Sequence, residues 1–185
     1  MATESTKGRL LVASPVLVDP NFDRRVVLML EHTPDGALGL VLNDPMTVLA
    51  VDALPEPLSN AFGWDDLLHC GGPVEESAVI VLAELRDMPP AAGTRILGDV
   101  AVLDPNGDLA TTIDATIRAR AFAGYAGWSS GQLDQEIEEG AWINVEASPS
   151  DVFGQTPDDL WRTVLERAGG SYRLVARMPP DPTMN

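Results

Sequence analysis

A chain of 185 residues with 45% hydrophobic content and a mean hydropathy of +0.02 is long and apolar enough for one domain with a substantial core, which excludes a disordered polymer. Twelve basic residues against 28 acidic ones give a net charge of −16 and a pI near 4.2. Affinity for nucleic acid comes from lysine and arginine displacing phosphate counterions, so this balance disfavours direct nucleic-acid binding. No stretch approaches the ~20 apolar residues of a membrane span, Met1 to Gly8 lacks an apolar signal core, and the single Cys70 cannot form an intramolecular disulfide. A cytosolic protein away from the membrane is expected.

In chain order, residues 1–7 read as a polar, flexible tail, and Leu10 to Val18 is an apolar run interrupted by Pro15. After the turn Asp19-Pro20-Asn21, the continuous apolar run Val26 to Leu30 predicts a buried strand. Thr33-Pro34-Asp35-Gly36 turns the chain into a second strand, Ala37 to Leu42, forming a hairpin that Asn43-Asp44-Pro45 closes. Residues 46–69 predict a short helix and loop. Gly71-Gly72-Pro73 predicts a turn, followed by strands at Ala78 to Leu82 and Val100 to Leu103, with Pro89-Pro90 between them. A short helix over Leu109 to Thr116 precedes a strand over Arg118 to Trp128. A helix over Gln132 to Glu139 stops at Gly140, where a left-handed residue is needed. Trp142 to Val145 predicts a strand. Thr156-Pro157-Asp158-Asp159 combines a cap, a first-turn proline and first-turn acids. The helix it opens buries Leu160, Val164, Leu165 and Ala168 and ends at Gly169-Gly170. A single domain over residues 8–177 is expected, with a flexible proline-rich tail over 178–185.

Gly127-Trp128-Ser129-Ser130-Gly131 matches G-x-S-x-G, the nucleophile elbow of serine hydrolases. The elbow needs a histidine downstream, yet His32 and His69 both lie upstream. A capping box accounts for the same residues, with Ser129 at the cap and Gln132 reaching back to it. His69 beside Cys70 lacks the second ligand cluster that a structural zinc requires, so no metal or cofactor is expected.

Gly8-Arg9-Leu10-Leu11-Val12-Ala13, Asp19-Pro20-x-Phe22, Glu31-His32, Asp35-Gly36-Ala37-x-Gly39 and Asn43-x-Pro45 follow one another in an order that continues with Gly71-Gly72-Pro73-Val74. Then come Gly124-Tyr125-Ala126-Gly127-Trp128-x-x-Gly131-Gln132-Leu133-x-x-Glu136-Ile137, Ala141-Trp142 and Leu160-Trp161. Over roughly residues 8–170 the chain resembles the bacterial YqgE/AlgH family, of the UPF0301 type. The resemblance implies an α+β fold: a single domain with a coiled, barrel-like, mostly antiparallel β-sheet flanked by a few helices. It implies a bacterial cytosolic protein with no established activity; the family name carries a link to regulation. The chain departs from the family pattern at Asp44, where a basic residue is usual, at Arg25, where serine is common, and at Leu30, where some relatives carry cysteine. A family anion site using the basic residue beside Asn43 lacks that residue here.

The leading expectation is a non-enzymatic binding or regulatory protein whose cleft takes a small ligand or a protein partner. Its binding residues would be His32, Asn43, Gly71, Gly72, Tyr125, Trp128, Gln132 and Trp142. The glycine pair presents backbone amides, the aromatics supply apolar walls, and Gly124 and Gly127 permit close approach. The alternative is a small-molecule hydrolase or cation-assisted enzyme using His32 with Glu136 or Asp134 on the acidic helix. A transcriptional regulator is a third reading, opposed by the net charge.

Overall fold

Strands β1 (Arg9–Ala13) and β2 (Val26–Thr33) carry unbroken apolar runs because both of their faces are covered. Leu10, Val12, Val26 and Leu28 point into one core cluster, whereas Leu11, Val27 and Met29, one residue out of phase, point into another. The computed structural model in which this is seen describes residues 5–178 apart from 18, 90 and 155. The ends of both expected tails, residues 1–4 and 179–185, lie outside the described residues.

Ten strands form one coiled, mostly antiparallel sheet in the order β10-β1-β2-β3-β9-β6-β8-β7, with β5 joined to β9 and β4 to β5. The remaining strands are β3 (Gly36–Val41), β4 (Pro45–Leu49), β5 (Leu67–Cys70), β6 (Val74–Leu85), β7 (Gly93–Leu97), β8 (Val100–Leu103), β9 (Thr116–Ser129) and β10 (Trp142–Glu146). The helices are α1 (Ala50–Ala53), α2 (Leu109–Ala115), α3 (Gln132–Glu138), α4 (Pro149–Phe153), α5 (Pro157–Ala168) and α6 (Tyr172–Val175). This is a single-domain α+β architecture, and none of the described helices is long and apolar enough to cross a membrane.

Fourteen-residue β9 is the spine. One edge pairs with β6, and the other is divided, Ala126 to Ser129 pairing antiparallel with β3 and Phe122-Ala123 pairing parallel with β5. At the fork, Gly71 N–H donates to Ala123 O and Gly71 O accepts from Val41 N–H, both within 2.9 Å. A Cβ on Gly71 would overlap Gly124 O, and one on Gly72 would overlap the Tyr125–Ala126 peptide. Glycine is required here because two backbones cross at contact distance.

Helix α5 starts as expected at Thr156 with Pro157 at its first position, and Asp158 and Asp159 lie in its first turn. Its buried residues are Leu160, Trp161, Val164 and Leu165, each worth about 1.5–3 kcal/mol on removal from water, while Ala168 is only half-buried. Trp161 anchors the helix to β1 by donating its indole N–H to Ala13 O at 2.8 Å. Buried Asp151 fixes α4 to α5, accepting from Ser148 N–H at 2.8 Å and from the Arg167 guanidinium at 2.8 and 2.9 Å.

Several segments differ from expectation. Residues 46–69, expected as helix and loop, contain most of β4 and β5 besides α1 and a 3-10 turn at Leu58–Ala61. β4 is largely exposed and short, so it lacks the apolar signature of a buried strand. β7 is a five-residue edge strand of the same kind. α4, although opened by Ser148-Pro149 with Asp151 at the third position, and α6 were not anticipated. The N-terminal segment expected as a tail is held against the sheet from residue 5: Thr6 is buried, and Gly8 N–H donates to Met29 O at 2.8 Å.

Candidate functional site

The motif around Trp128 is a structural knot. Trp128 is paired on β9 opposite Ala37, Trp142 opens β10, and Phe22 packs between them with ring centroids 6.3 and 5.4 Å away. Two indole N–H groups at this depth each need an acceptor. Glu136 provides it for both: its Oε2 accepts from Trp128 at 2.9 Å and from Trp142 at 2.8 Å, and its Oε1 accepts from the Gln132 amide at 2.9 Å. The carboxylate expected as a catalytic partner is thus held by three donors. Gln132 in turn uses Oε1 to accept from Ser129 N–H at 3.0 Å and from the Ser129 hydroxyl at 3.2 Å. Only half of the expected capping box exists. Ser129 is the last residue of β9, Gly131 at φ +70° is the helix cap, and the serine hydroxyl donates to Gln132 and not to a histidine.

His32 does approach the acidic helix. Its Nε2 lies 3.4 Å from Asp134 Oδ1, an approach in which no hydrogen bond is formed, since Asp134 Oδ1 has no hydrogen-bond partner among the described residues. On the other side of the ring, Nδ1 lies 3.3 Å from the Thr6 backbone nitrogen and 3.1 Å from the Thr6 hydroxyl. A backbone N–H can only donate, so Nδ1 is the unprotonated nitrogen and Nε2 carries the hydrogen toward Asp134. With its side chain 7% exposed, the imidazole fastens the N-terminal segment to α3.

Asn43 is likewise engaged. Its Oδ1 accepts from Val26 N–H and its Nδ2 donates to Arg24 O, both at 2.9 Å, so it stands in for a strand partner at the start of β2. Gly71 spends its amide on Ala123. The expected binding residues therefore divide. Trp128, Trp142 and Gln132 meet in the indole knot, with His32 on the neighbouring face of α3. Tyr125 and Trp128 line an open cavity of about 440 Å³ together with Glu31 and Asp35. Asn43, Gly71 and Gly72 serve the backbone elsewhere.

The two departures beside Asn43 meet each other. Arg25 Nη2 lies 2.9 Å from Asp44 Oδ1, and Arg25 Nη1 donates to Asn43 O at 3.0 Å. Arg25 thus reaches the backbone of Asn43 while its charge is neutralised by Asp44.

A cavity of about 640 Å³ opens between β5, the start of β9 and the α4–α5 junction. Phe62, Ile117 and Phe153 form apolar wall, and His69 and Arg120 bring the polar groups. Neither was a predicted site residue. His69 is 6% exposed, and its Nδ1 lies 3.1 Å from Leu67 O, so Nδ1 carries the proton. Nε2 has no hydrogen-bond partner among the described residues. Desolvation, followed by the nearby Arg120 charge, pushes the His69 pKa down to about 4, so the ring is neutral at pH 7 and Nε2 offers a lone pair. The Arg120 guanidinium has neither hydrogen bond nor ion pair among the described residues, and burial pulls its pKa below the ordinary value, against the pull of Asp66. Its neighbour Arg118 is paired with Glu84 and lies 5.1 Å over the Phe153 ring. The one available signal was the Arg118-Ala119-Arg120 alternation, which puts both guanidiniums on one face of a strand.

The AlgH-like family model matches residues 10–173. The chain belongs to the AlgH-like family. A UPF0301 protein of Streptomyces avermitilis is 41% identical over 98% of this chain and 96% of its own length, and one of Thermobifida fusca is 42% identical over the same shares. Among solved structures, a protein from Corynebacterium diphtheriae superposes with a TM-score of 0.84 at 28% identity, covering 95% of this chain and 93% of that one. The AlgH protein from Pseudomonas aeruginosa, also described as UPF0301, gives 0.70 at 26% identity, covering 97% of both chains. The AlgH-like fold thus spans the chain from β1 to α6, and the indole knot, the glycine crossing and the 640 Å³ cavity all lie within it.

Proposed function

We propose that this AlgH-like protein is a non-enzymatic binding protein, acting in the cytosol, and that its ligand site is the cavity walled by β5, β9 and the α4–α5 junction. The observation that carries the reading is the pair of polar groups left free there, the Arg120 guanidinium and His69 Nε2, in a cavity of about 640 Å³. Small-molecule sites are concave, mostly apolar and equipped with a few such groups, within roughly 300–1,000 Å³. The guanidinium is half-buried, and with no protein acceptor among the described residues it stays open to one that a ligand brings. The enzymatic alternative has less support: Glu136 is committed to two indoles and an amide, and the His32 ring is buried with Nδ1 held by Thr6. A regulatory role would run through ligand or protein binding, because a chain of net charge −16 is poorly suited to hold duplex DNA directly.

The test is a ligand-observed NMR fragment screen on the full chain, followed by amide shift mapping of each hit. Shifts concentrated at residues 61–69 and 117–120, and lost in Arg120→Met, support the site. Hits mapping to the Tyr125–Trp128 cavity instead would move the ligand site there, and the absence of hits at either place would remove the small-ligand reading.

A further inference from the structure

The polar groups of the large cavity are complementary to each other, and together they specify a head group. Arg120 offers only donors, in a planar fork suited to an sp² oxygen. His69 offers only an acceptor at Nε2, because its Nδ1 proton is directed at Leu67 O. His69 on β5 is paired with Phe122 on β9, and Arg120, two residues earlier on β9, stands on the same face as Phe122, so both polar side chains line the one cavity. A ligand satisfying both must therefore present a carbonyl-type acceptor beside an N–H or O–H donor.

The surroundings narrow the class. Asp65, Asp66 and Asp158 line the cavity against Arg118 and Arg120, and Arg118 is already paired with Glu84. A phosphate or other multiply charged anion is repelled by that balance, and a carboxylate would set its own lone pairs against His69 Nε2. A lone ammonium group has nothing to give Arg120. The apolar wall of Phe62, Ile117 and Phe153 suits a flat ring. Asp65 and Asp158 remain available for further donors on the same molecule, such as an exocyclic amine or ribose hydroxyls, while Asp66 Oδ2 already accepts from Gly63 N–H at 2.6 Å.

We propose that the cavity binds an uncharged cyclic amide, the –NH–C(=O)– edge of a pyrimidinone or purinone base or its nucleoside, with the carbonyl on Arg120 and the N–H on His69 Nε2. This rests on the cavity being the ligand site, and it names what the site selects.

The experiment is isothermal titration calorimetry of the full chain with uracil, uridine, hypoxanthine and inosine. The comparison ligands are 1,3-dimethyluracil, which keeps the ring and carbonyls but has no N–H, together with uridine monophosphate and benzoate. Binding of at least one base or nucleoside is expected, weakened at least tenfold by N-methylation, by the added phosphate, and by Arg120→Met. His69→Leu should remove the discrimination against the N-methylated ring while leaving residual binding, and circular dichroism verifies that each variant folds. If the dimethylated ring binds as well as uracil, or no base or nucleoside binds, the lactam assignment is overturned. Benzoate or fragments binding in an Arg120-dependent way would then show that the cavity reading survives with a different ligand class. Base binding that is indifferent to both substitutions would overturn the site itself.

Discussion

His69 and Glu136 illustrate two opposite fates of a buried polar side chain. Glu136 answers three donors, so its removal leaves two indole N–H groups without acceptors. Each unsatisfied buried donor costs ~1–3 kcal/mol. Glu136→Leu is expected to destabilise the fold by about 2–5 kcal/mol, read from chemical denaturation, with loss of near-ultraviolet dichroism from Trp128 and Trp142. A change below about 1 kcal/mol would show that the indoles find other acceptors. His69, by contrast, is held neutral, with its pKa pushed down to about 4 from an ordinary 6.5. Between these values the unfolded chain binds more protons than the folded one, so stability from this residue is complete above pH 6.5 and is lost as pH falls toward 4. The loss is on the order of 3 kcal/mol at the low end of that window. Denaturation measured from pH 7 to pH 4 should show this slope in the native chain and a flatter one in His69→Gln; identical slopes would place the acid sensitivity in other groups.

Glycines decide matters at the scale of the strand and helix. Gly72, at φ +149°, sits where the β5–β6 connection crosses β9, and a Cβ there collides with backbone that cannot move aside. Gly72→Ala is expected to cost more than about 3 kcal/mol or to prevent folding, since it combines steric overlap with a conformation that L side chains avoid. Gly131, at φ +70°, has nothing within 4 Å of the methyl group an alanine would add, so Gly131→Ala should cost only about 1 kcal/mol. Thermal denaturation of the two variants distinguishes crossing from cap. Equal losses would mean that left-handed conformation alone, and not the close approach, requires the glycine pair. The crossing also explains why the Gly71-Gly72 pair looked like an anion-binding turn: the same lack of side chain serves both purposes, and only the neighbouring backbone tells them apart.

For the molecule as a whole, the excess of acidic residues acts on stability and on partners together. Mutual repulsion within a chain of net charge −16 weakens the folded state at low ionic strength, and salt screens it over a Debye length of about 10 Å at 0.1 M. The melting temperature should rise from low to high sodium chloride (roughly 20 to 500 mM), by about 2–4 °C for each kcal/mol of repulsion relieved. A falling melting temperature would mean that surface ion pairs such as Arg162–Asp159 outweigh the repulsion. The same charge predicts no retardation of duplex DNA at about 50 mM salt, a condition favourable to such binding; a shifted band would restore the direct regulator reading.

Much of this fold was legible along the chain. Apolar runs placed β2, β3, β8 and β10 to within a few residues, and cap, proline and acid signals placed α5, because these features follow from local chemistry and from burial on both faces. β4, β5 and β7 were not legible, since short, partly exposed strands take their identity from the neighbours that pair with them. The motif Gly124–Ile137 was visible as a specific cluster, but its purpose was not: spacing cannot reveal that one carboxylate receives two indoles from different strands. The Arg25–Asp44 pair is similar, two isolated departures that become one compensated contact when β2 meets the end of β3. Composition, charge and the family likeness were properties of the residues in order. The His69–Arg120 cavity was decided only by the fold, because its polar groups come from β5 and β9, far apart in the chain, and a free donor or acceptor is recognised only when every possible partner in space has been accounted for.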